Sequence, residues 1–570
     1  MASNQESLGD DKGGSLANLS KWQVALLLGV GVGVGAAYYY YRRGQSSIAA
    51  RQPQQADVQP VVSDEKSDQT DDANMSAKER ASAVKGKGNK FFKGGKYEQA
   101  IRCYTEAIEL CPSSESDIRS VLYQNRAAAY EQLKEFDKVV EDCNSALELN
   151  KHYVKAINRR SRAYEELKEY RKCLEDLTAQ CILESFQNAA TIMSADRVLK
   201  IVGKIEAKQR FAERQYFLPS TAFIQTYLES FANDGLQLAS ISDAPTVDTS
   251  AFEEDDYFLI ARYNLSQCNY ENIIDYCTKE IDKDFSPYRA EAYALRGTLR
   301  LLMTDSDSAL EDFDKVLEFD DGSPRVKVNA LIKRASYKLQ QEKTNEAIAD
   351  FSSALELDPE NCDIYYHRGQ AYFLLERLSD AMLDFQKSYE LNENFSQAYV
   401  HLGYARYKSA VTQQSPSLVE KSIKTFEDAL GKYPNSADAV SLYAQILQDQ
   451  QQLQKADELF DKAISIRPNF PSYYVHKGVL QVQLKQDIEA GIKLIEKAIE
   501  LDNKCDFAYE TLATVEVQRG NIDRGIELFE KALNLARAES DLSHTLSLLI
   551  AAQTQIKVGK NLGVSPMMPF

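Results

Sequence analysis

Near its start the chain carries a run without a single charged side chain: Trp22 to Tyr41, WQVALLLGVGVGVGAAYYYY, twenty residues long. A helix rising about 1.5 Å per residue would carry that run about 30 Å, the thickness of a bilayer's hydrocarbon layer. Trp22 stands at one end and Tyr38, Tyr39, Tyr40 and Tyr41 at the other, as amphipathic rings do at the two interfaces. Lys21 precedes the run, while Arg42 and Arg43 follow it, so the positive-inside rule sets the bulk of the chain in the cytosol. A cleaved signal peptide fits less well, because a polar lead precedes the apolar run and two arginines close it. The pattern predicts a short polar N-terminus over 1–21 and a single-pass anchor over 22–41. Residues 42–77 then turn to Gln, Ser, Asp and Pro (QPQQADVQPVVSDEKSDQTDDAN) and cannot bury enough apolar surface to order themselves. They read as a disordered tether, which at about thirty residues reaches roughly 30 Å.

From residue 78 the pattern changes to helical spacing that repeats itself. Gly88, Tyr97, Ala100, Tyr104, Ala107 and Pro112 set a frame that returns with Gly297, Ala309 and Phe313, and again with Ala335, Ala347, Phe351, Ala354 and Pro359. Gly369, Ala381 and Phe385 repeat it, as do Gly403, Phe426 and Ala429; Ala444, Ala456 and Phe460; Gly478 and Ala490; and Ala513, Phe529 and Ala532. With the small residue at position 8, units start near 81, 120 and 154, and later near 290, 328, 362, 396, 437, 471 and 506. Spacings of about 34 residues are those of the tetratricopeptide repeat, one helix–turn–helix per unit. Small residues at positions 8, 20 and 27 let the two helices approach, and aromatics fill the gap between neighbouring pairs. Neither helix can bury its apolar face alone, so the units stack into a superhelix with a concave wall. The expected fold is all-α, with about eleven units in two arrays. A three-unit domain covers 78–183, a helical connector with a polar break around Pro245 covers 184–253, and about eight units follow over 254–540. A C-terminal helix and tail, 541–570, close the chain.

Composition narrows the function classes. The chain has 570 residues and a net charge of −18, a balance that disfavours general nucleic-acid binding. Its nine cysteines are scattered without pairing or metal-type spacing, which points to a reducing compartment. His152, His367, His401, His476 and His544 stand alone, with no metal motif among them. Nothing suggests a nucleophile elbow, a Gly-rich phosphate loop or a cofactor site. No stretch outside the repeats is long enough for a catalytic domain, so an enzyme is not expected.

Helix A of each unit lines the concave wall, and in the first array its polar residues converge. Lys85 and Asn89 lie four apart in unit one, Asn125 sits in unit two, and Lys155 and Arg159 lie four apart in unit three. No acid occupies these five positions in a chain of net negative charge. Two ammonium groups, two carboxamides and one guanidinium suit an anion with planar acceptors, and a peptide's C-terminal carboxylate has them. The array resembles the two-carboxylate clamp of Hsp70- and Hsp90-binding tetratricopeptide domains, whose K-x-x-x-N, N and K-x-x-x-R pattern matches these residues in order. The loop CPSSESD widens the first spacing to 39 and is expected at the exit of helix B, clear of the groove.

The order of parts resembles the mitochondrial outer-membrane preprotein receptors of 70 kDa. Local wording such as KGNKFFKGGKYEQAI and RRSRAYEELKEY is similar to fungal members. The resemblance implies a single-pass protein of the mitochondrial outer membrane whose clamp docks the acidic C-terminal peptides of Hsp70 and Hsp90. It also implies that the second array binds internal targeting segments of hydrophobic precursors such as carrier proteins, for transfer to other subunits of the translocase. A clamp-bearing chaperone adaptor in another membrane, endoplasmic reticulum or plastid envelope, stays open as the alternative. The residues of the second groove are not readable from the pattern. Helix-A aromatics such as Tyr365, Tyr366, Tyr399, Tyr443, Tyr473 and Tyr474 serve either core or groove.

Overall fold

The computed structural model describes residues 76–234 and 255–564, apart from positions 321, 342 and 486. The expected anchor over 22–41 and nearly all of the tether lie outside the described residues. Among the described residues no helix is long and apolar enough to cross a membrane.

Those residues form twenty-five helices and no strand. Three hairpins come first: Ala77–Lys93 with Tyr97–Leu110, Ser116–Gln132 with Phe136–Leu149, and Val154–Glu166 with Tyr170–Leu183. The helices Ala189–Ala212 and Thr221–Glu229 follow. Eight further hairpins run from Tyr257–Ser266 with Ile273–Ile281 to Asp506–Gln518 with Ile522–Leu535, and the helix Glu539–Leu562 ends the described chain. The all-α repeat architecture is therefore the one the spacing predicts.

The small residue at position 8 is a packing requirement. A Cβ on Gly88 would stand 2.7 Å from the Tyr104 ring, and one on Gly369 would stand 2.9 Å from that of Phe385. Ala127, Ala335, Ala444 and Ala513 fill the same place and are buried. Between helices A and B the chain turns through one residue with left-handed backbone at position 15. Gly95 and Gly520 take it at no steric cost, but Lys134, Lys168, Thr304, Glu376 and Gln451 take it with φ between 58° and 66°.

A second regularity concerns charge. Arg126, Arg160, Arg296, Arg334 and Arg368 stand at position 7, and each grips an aspartate sixteen residues on with two parallel hydrogen bonds. The partners are Asp142, Asp176, Asp312, Asp350 and Asp384. In four units the remaining guanidinium nitrogen donates to the preceding helix B, at Thr105, Asn144, Thr278 or Asp314. One side chain thus ties three helices. Burial raises the carboxyls of Asp142, Asp176 and Asp384, and their arginines oppose that rise.

By compactness the described residues fall into two units that are not consecutive in sequence. One holds 76–210, 516–530 and 543–564; the other holds 211–234, 255–515 and 531–542. In the first, the last helix returns to the third hairpin. Val558 and Leu562 join Ala146, Ile157 and Ala179 in one apolar cluster, and Lys557 pairs with Glu175 at 2.5 Å. Gly203 admits that helix, since a Cβ there would lie 2.9 Å from the Ser543 carbonyl oxygen. Backbone cannot yield as a side chain can. Gly203→Ala should therefore destabilise this unit by about 1–3 kcal/mol, read as a lower melting point with earlier proteolysis within 539–562.

Candidate functional site

The first array places its five expected residues on three successive A helices. Lys85 and Asn89 lie on Ala77–Lys93, Asn125 on Ser116–Gln132, and Lys155 and Arg159 on Val154–Glu166. Asn125 donates its amide to Asn89 Oδ1 at 3.4 Å, and the Tyr104 hydroxyl donates to the same oxygen at 2.8 Å. With its oxygen engaged twice, Asn89 has its NH2 left to offer a ligand. Arg159 donates Nη1 to the Gln124 carbonyl at 3.1 Å, which fastens it to the helix that carries Asn125. Lys85 is half-buried and Lys155 is exposed. Among the described residues neither ammonium is paired with a carboxylate.

One neighbour was not anticipated. The five positions hold no acid, yet Glu131 on the last turn of the second A helix accepts from Arg159 Nε at 2.8 Å and also meets Arg162 at 3.3 Å. The Arg159 side chain is only 14% exposed. It is a guanidinium pinned on two sides, with Nη2 left to bind. Glu131 sits at position 12 of its unit, six residues past Asn125, where the clamp pattern assigns nothing.

The wall of the second array follows the same unit positions, and part of it is covered by the chain itself. Ile224, Tyr227 and Phe231, from the helix Thr221–Glu229 and the residues after it, are buried in one cluster with Leu295, Leu299, Leu331 and Ile332. Asp363 accepts the backbone N–H groups of Ala232 and Asn233, each at 2.8 Å. Asp234 meets Lys333 at 3.6 Å, with both side chains fully buried, and Lys333 also donates to Thr298 at 2.9 Å. Burial pulls the Lys333 ammonium down while Asp234 opposes it, and burial pushes the Asp363 carboxyl up to about 6. Glu229 receives both arms of Arg467, and the Phe231 ring lies 4.2 Å from that of His367. The stretch expected to be a plain connector thus fills a length of groove.

Further along, a cavity of about 600 Å3, open mouth included, stays clear. Its lining includes Gln397, His401, Asp438, Gln445, Tyr473 and His476, with Thr226 of the seated helix on one side. Tyr473, one of the aromatics left between core and groove, lines it and donates to Asp438 at 2.7 Å; Tyr366 belongs to the core. Burial lowers His401 to about 3 and His476 to about 4, so both are neutral near pH 7. Among the described residues no group of His, Cys, Asp and Glu could hold a metal ion. Burial pushes the Cys143 and Cys173 thiols up to about 12, which keeps them protonated packing groups.

Stacked helical hairpins with polar positions 2, 5, 6 and 9 along a concave wall define a tetratricopeptide-repeat scaffold. The tetratricopeptide repeat model matches residues 81–114, 121–153, 363–395 and 437–470, and the TPR repeat model matches 338–376. The mitochondrial import receptor subunit TOM70 of Rattus norvegicus is 42% identical over 97% of this chain and 94% of its own length. That of Saccharomyces cerevisiae is 28% identical over 89% and 85%. The crystal structure of the yeast Tom70 covers 84% of this chain and 97% of its own at 26% identity, with a TM-score of 0.49. The chain belongs to the family of the mitochondrial import receptor subunit TOM70. Identity is higher with the rat than with the yeast receptor.

Proposed function

We propose that this protein is an import receptor of the mitochondrial outer membrane that docks Hsp70 and Hsp90 by their acidic C-terminal peptides and holds hydrophobic precursors for the translocase. Near-full-length kinship with receptors of that name supports the import role and the organelle. Residues 22–41 supply the anchor and set the repeats in the cytosol, and fluorescent tagging of residues 1–60 should give mitochondrial staining. Reticular staining would favour an adaptor of another membrane instead.

The observation that carries the chaperone reading is the Asn89–Asn125 contact, with Lys85 and Lys155 unpaired among the described residues and Arg159 held by the helix that carries Asn125. The ligand's terminal carboxylate lies against Lys85, Asn89 and Asn125, while Lys155 and Arg159 take carboxylates upstream. A free-acid chaperone C-terminal peptide should bind at least tenfold more tightly than its C-terminal amide, because a charge-assisted bond is worth roughly 1.5–3 kcal/mol. Its affinity should fall as salt rises, since exposed ion pairs are screened within about 10 Å at 0.1 M. Equal binding of acid and amide in a titration would remove the clamp.

The second array takes apolar precursor segments, such as those of carrier proteins, on the part of its wall that stays open from Gln397 to His476. Such segments need cover in water, since burying a large apolar side chain recovers roughly 1.5–3 kcal/mol.

A further inference from the structure

The second array repeats the clamp's frame. In the clamp, position 9 of the first unit, 6 of the second, and 2 and 6 of the third hold Asn89, Asn125, Lys155 and Arg159. In the units starting near 290, 328 and 362, the same places hold Thr298, Lys333, Asp363 and His367. Three of these four residues meet the chain's own segment directly, and the fourth, Thr298, backs Lys333. Lys333 meets the Asp234 carboxylate and is steadied by Thr298; Asp363 takes the N–H groups of Ala232 and Asn233; and His367 lies against Phe231. The chemistry differs from the clamp where the ligand differs. A carboxylate stands at position 2 because it meets backbone donors, where the clamp has Lys155.

The wall also offers more than the segment uses. Asn329 Oδ1 and His401 Nδ1, at positions 2 and 6 of their units, are buried without a hydrogen-bond partner among the described residues. A purely structural core seldom leaves such atoms unmet, because each costs about 1–3 kcal/mol. A surface that receives more than one guest can.

We propose that Thr221–Asp234 is a resident ligand of the second array, seated in a repeated clamp frame, and that an apolar helix from another chain takes the same place. The replacing helix carries two aromatic anchors four residues apart and a carboxylate three residues further on, as Tyr227, Phe231 and Asp234 do. Covalent connection to the array gives the resident segment a local concentration near the millimolar range, so a competitor gains the site only when the segment releases. The inference rests on the reading of the second groove as a binding wall. Its tests use neither chaperone nor precursor, so its failure is distinct from failure of that reading.

Hydrogen exchange on the unaltered full chain is the first test. Amides of residues 224–231 should exchange at least tenfold faster than those of Arg289–Leu302, Pro324–Gln340 and Cys362–Leu374. Exchange in step with those helices would make the segment core and overturn the proposal. The second test adds a synthetic peptide copying residues 218–234 to the full chain carrying Tyr227→Ala and Phe231→Ala. The peptide should bind that chain, bind the unaltered chain at least tenfold more weakly, and lose its binding when Lys333→Met is added. A variant that keeps a cooperative melt yet ignores the peptide, or one that loses its melt altogether, would overturn it.

Discussion

Arg159→Ala should weaken binding of a free-acid chaperone C-terminal peptide by about one to two orders of magnitude and leave the helical signal unchanged. The magnitude follows from one charge-assisted bond of roughly 1.5–3 kcal/mol, at about 1.4 kcal/mol per tenfold. The loss stays in this range because Arg159 already spends Nε on Glu131 and Nη1 on the Gln124 carbonyl, so the ligand receives Nη2 alone. Glu131 separates two effects. Glu131→Gln keeps an acceptor for Nε but removes a negative charge beside the anion's seat, so affinity should rise severalfold. Removal of Arg159 leaves Glu131 with Arg162, an ion pair on the exposed side, and the fold loses little. Titration by fluorescence anisotropy at fixed salt checks both substitutions. An Arg159→Ala chain that binds like the unaltered one would mean that the guanidinium only braces the second and third A helices.

The repeat was legible because its packing demands small residues at fixed intervals, and Gly88, Gly297, Gly369 and Gly403 announce them. The left-handed turn at position 15 was not, since lysine, threonine, glutamate and glutamine occupy it in most units and only Gly95 and Gly520 give a signal. Local strain there is outweighed by the packing of two helices, which no propensity scale sees. The clamp residues were legible as a pattern across three units. Glu131 was not, because its role depends on how far the last turn of one helix reaches toward the next. The position-7 arginines carry no local signal, since a partner sixteen residues away belongs to no local helix rule; only the superposed frame makes the pairs visible. The segment Thr221–Asp234 was least legible of all. TAFIQTYLES reads as a short apolar helix, and nothing in its own letters says that Lys333, about a hundred residues on, neutralises the aspartate at its end.

Asp312→Ala should be among the most damaging single changes in the second array, costing about 3–5 kcal/mol. Asp312 is almost fully buried and carries two arginines, Arg296 through paired bonds of 2.7 and 3.1 Å and Arg300 at 2.9 Å. Burial works against the Arg296 charge, and its bonds to Asp312 more than offset that. Truncation would leave the Arg296 guanidinium among apolar neighbours and break the tie that joins helix Arg289–Leu302 to both flanking helices, since Arg296 also donates to Thr278. Asp314→Ala makes the contrast. That carboxylate is mostly exposed and receives one arm of Arg334, whose two bonds to Asp350 persist, so the cost should be within about 1 kcal/mol. Chemical denaturation of the two chains, followed by helical signal, measures the difference. A paired replacement, Arg296→Met with Asp312→Leu, removes the two more deeply buried charges and leaves Arg300, a quarter exposed, to solvent, so it should recover most of the loss, because a desolvated ion pair gains little over well-packed apolar groups. If the double variant proved as unstable as Asp312→Ala, the staple's value would lie in its hydrogen-bonded geometry across three helices and not in charge balance.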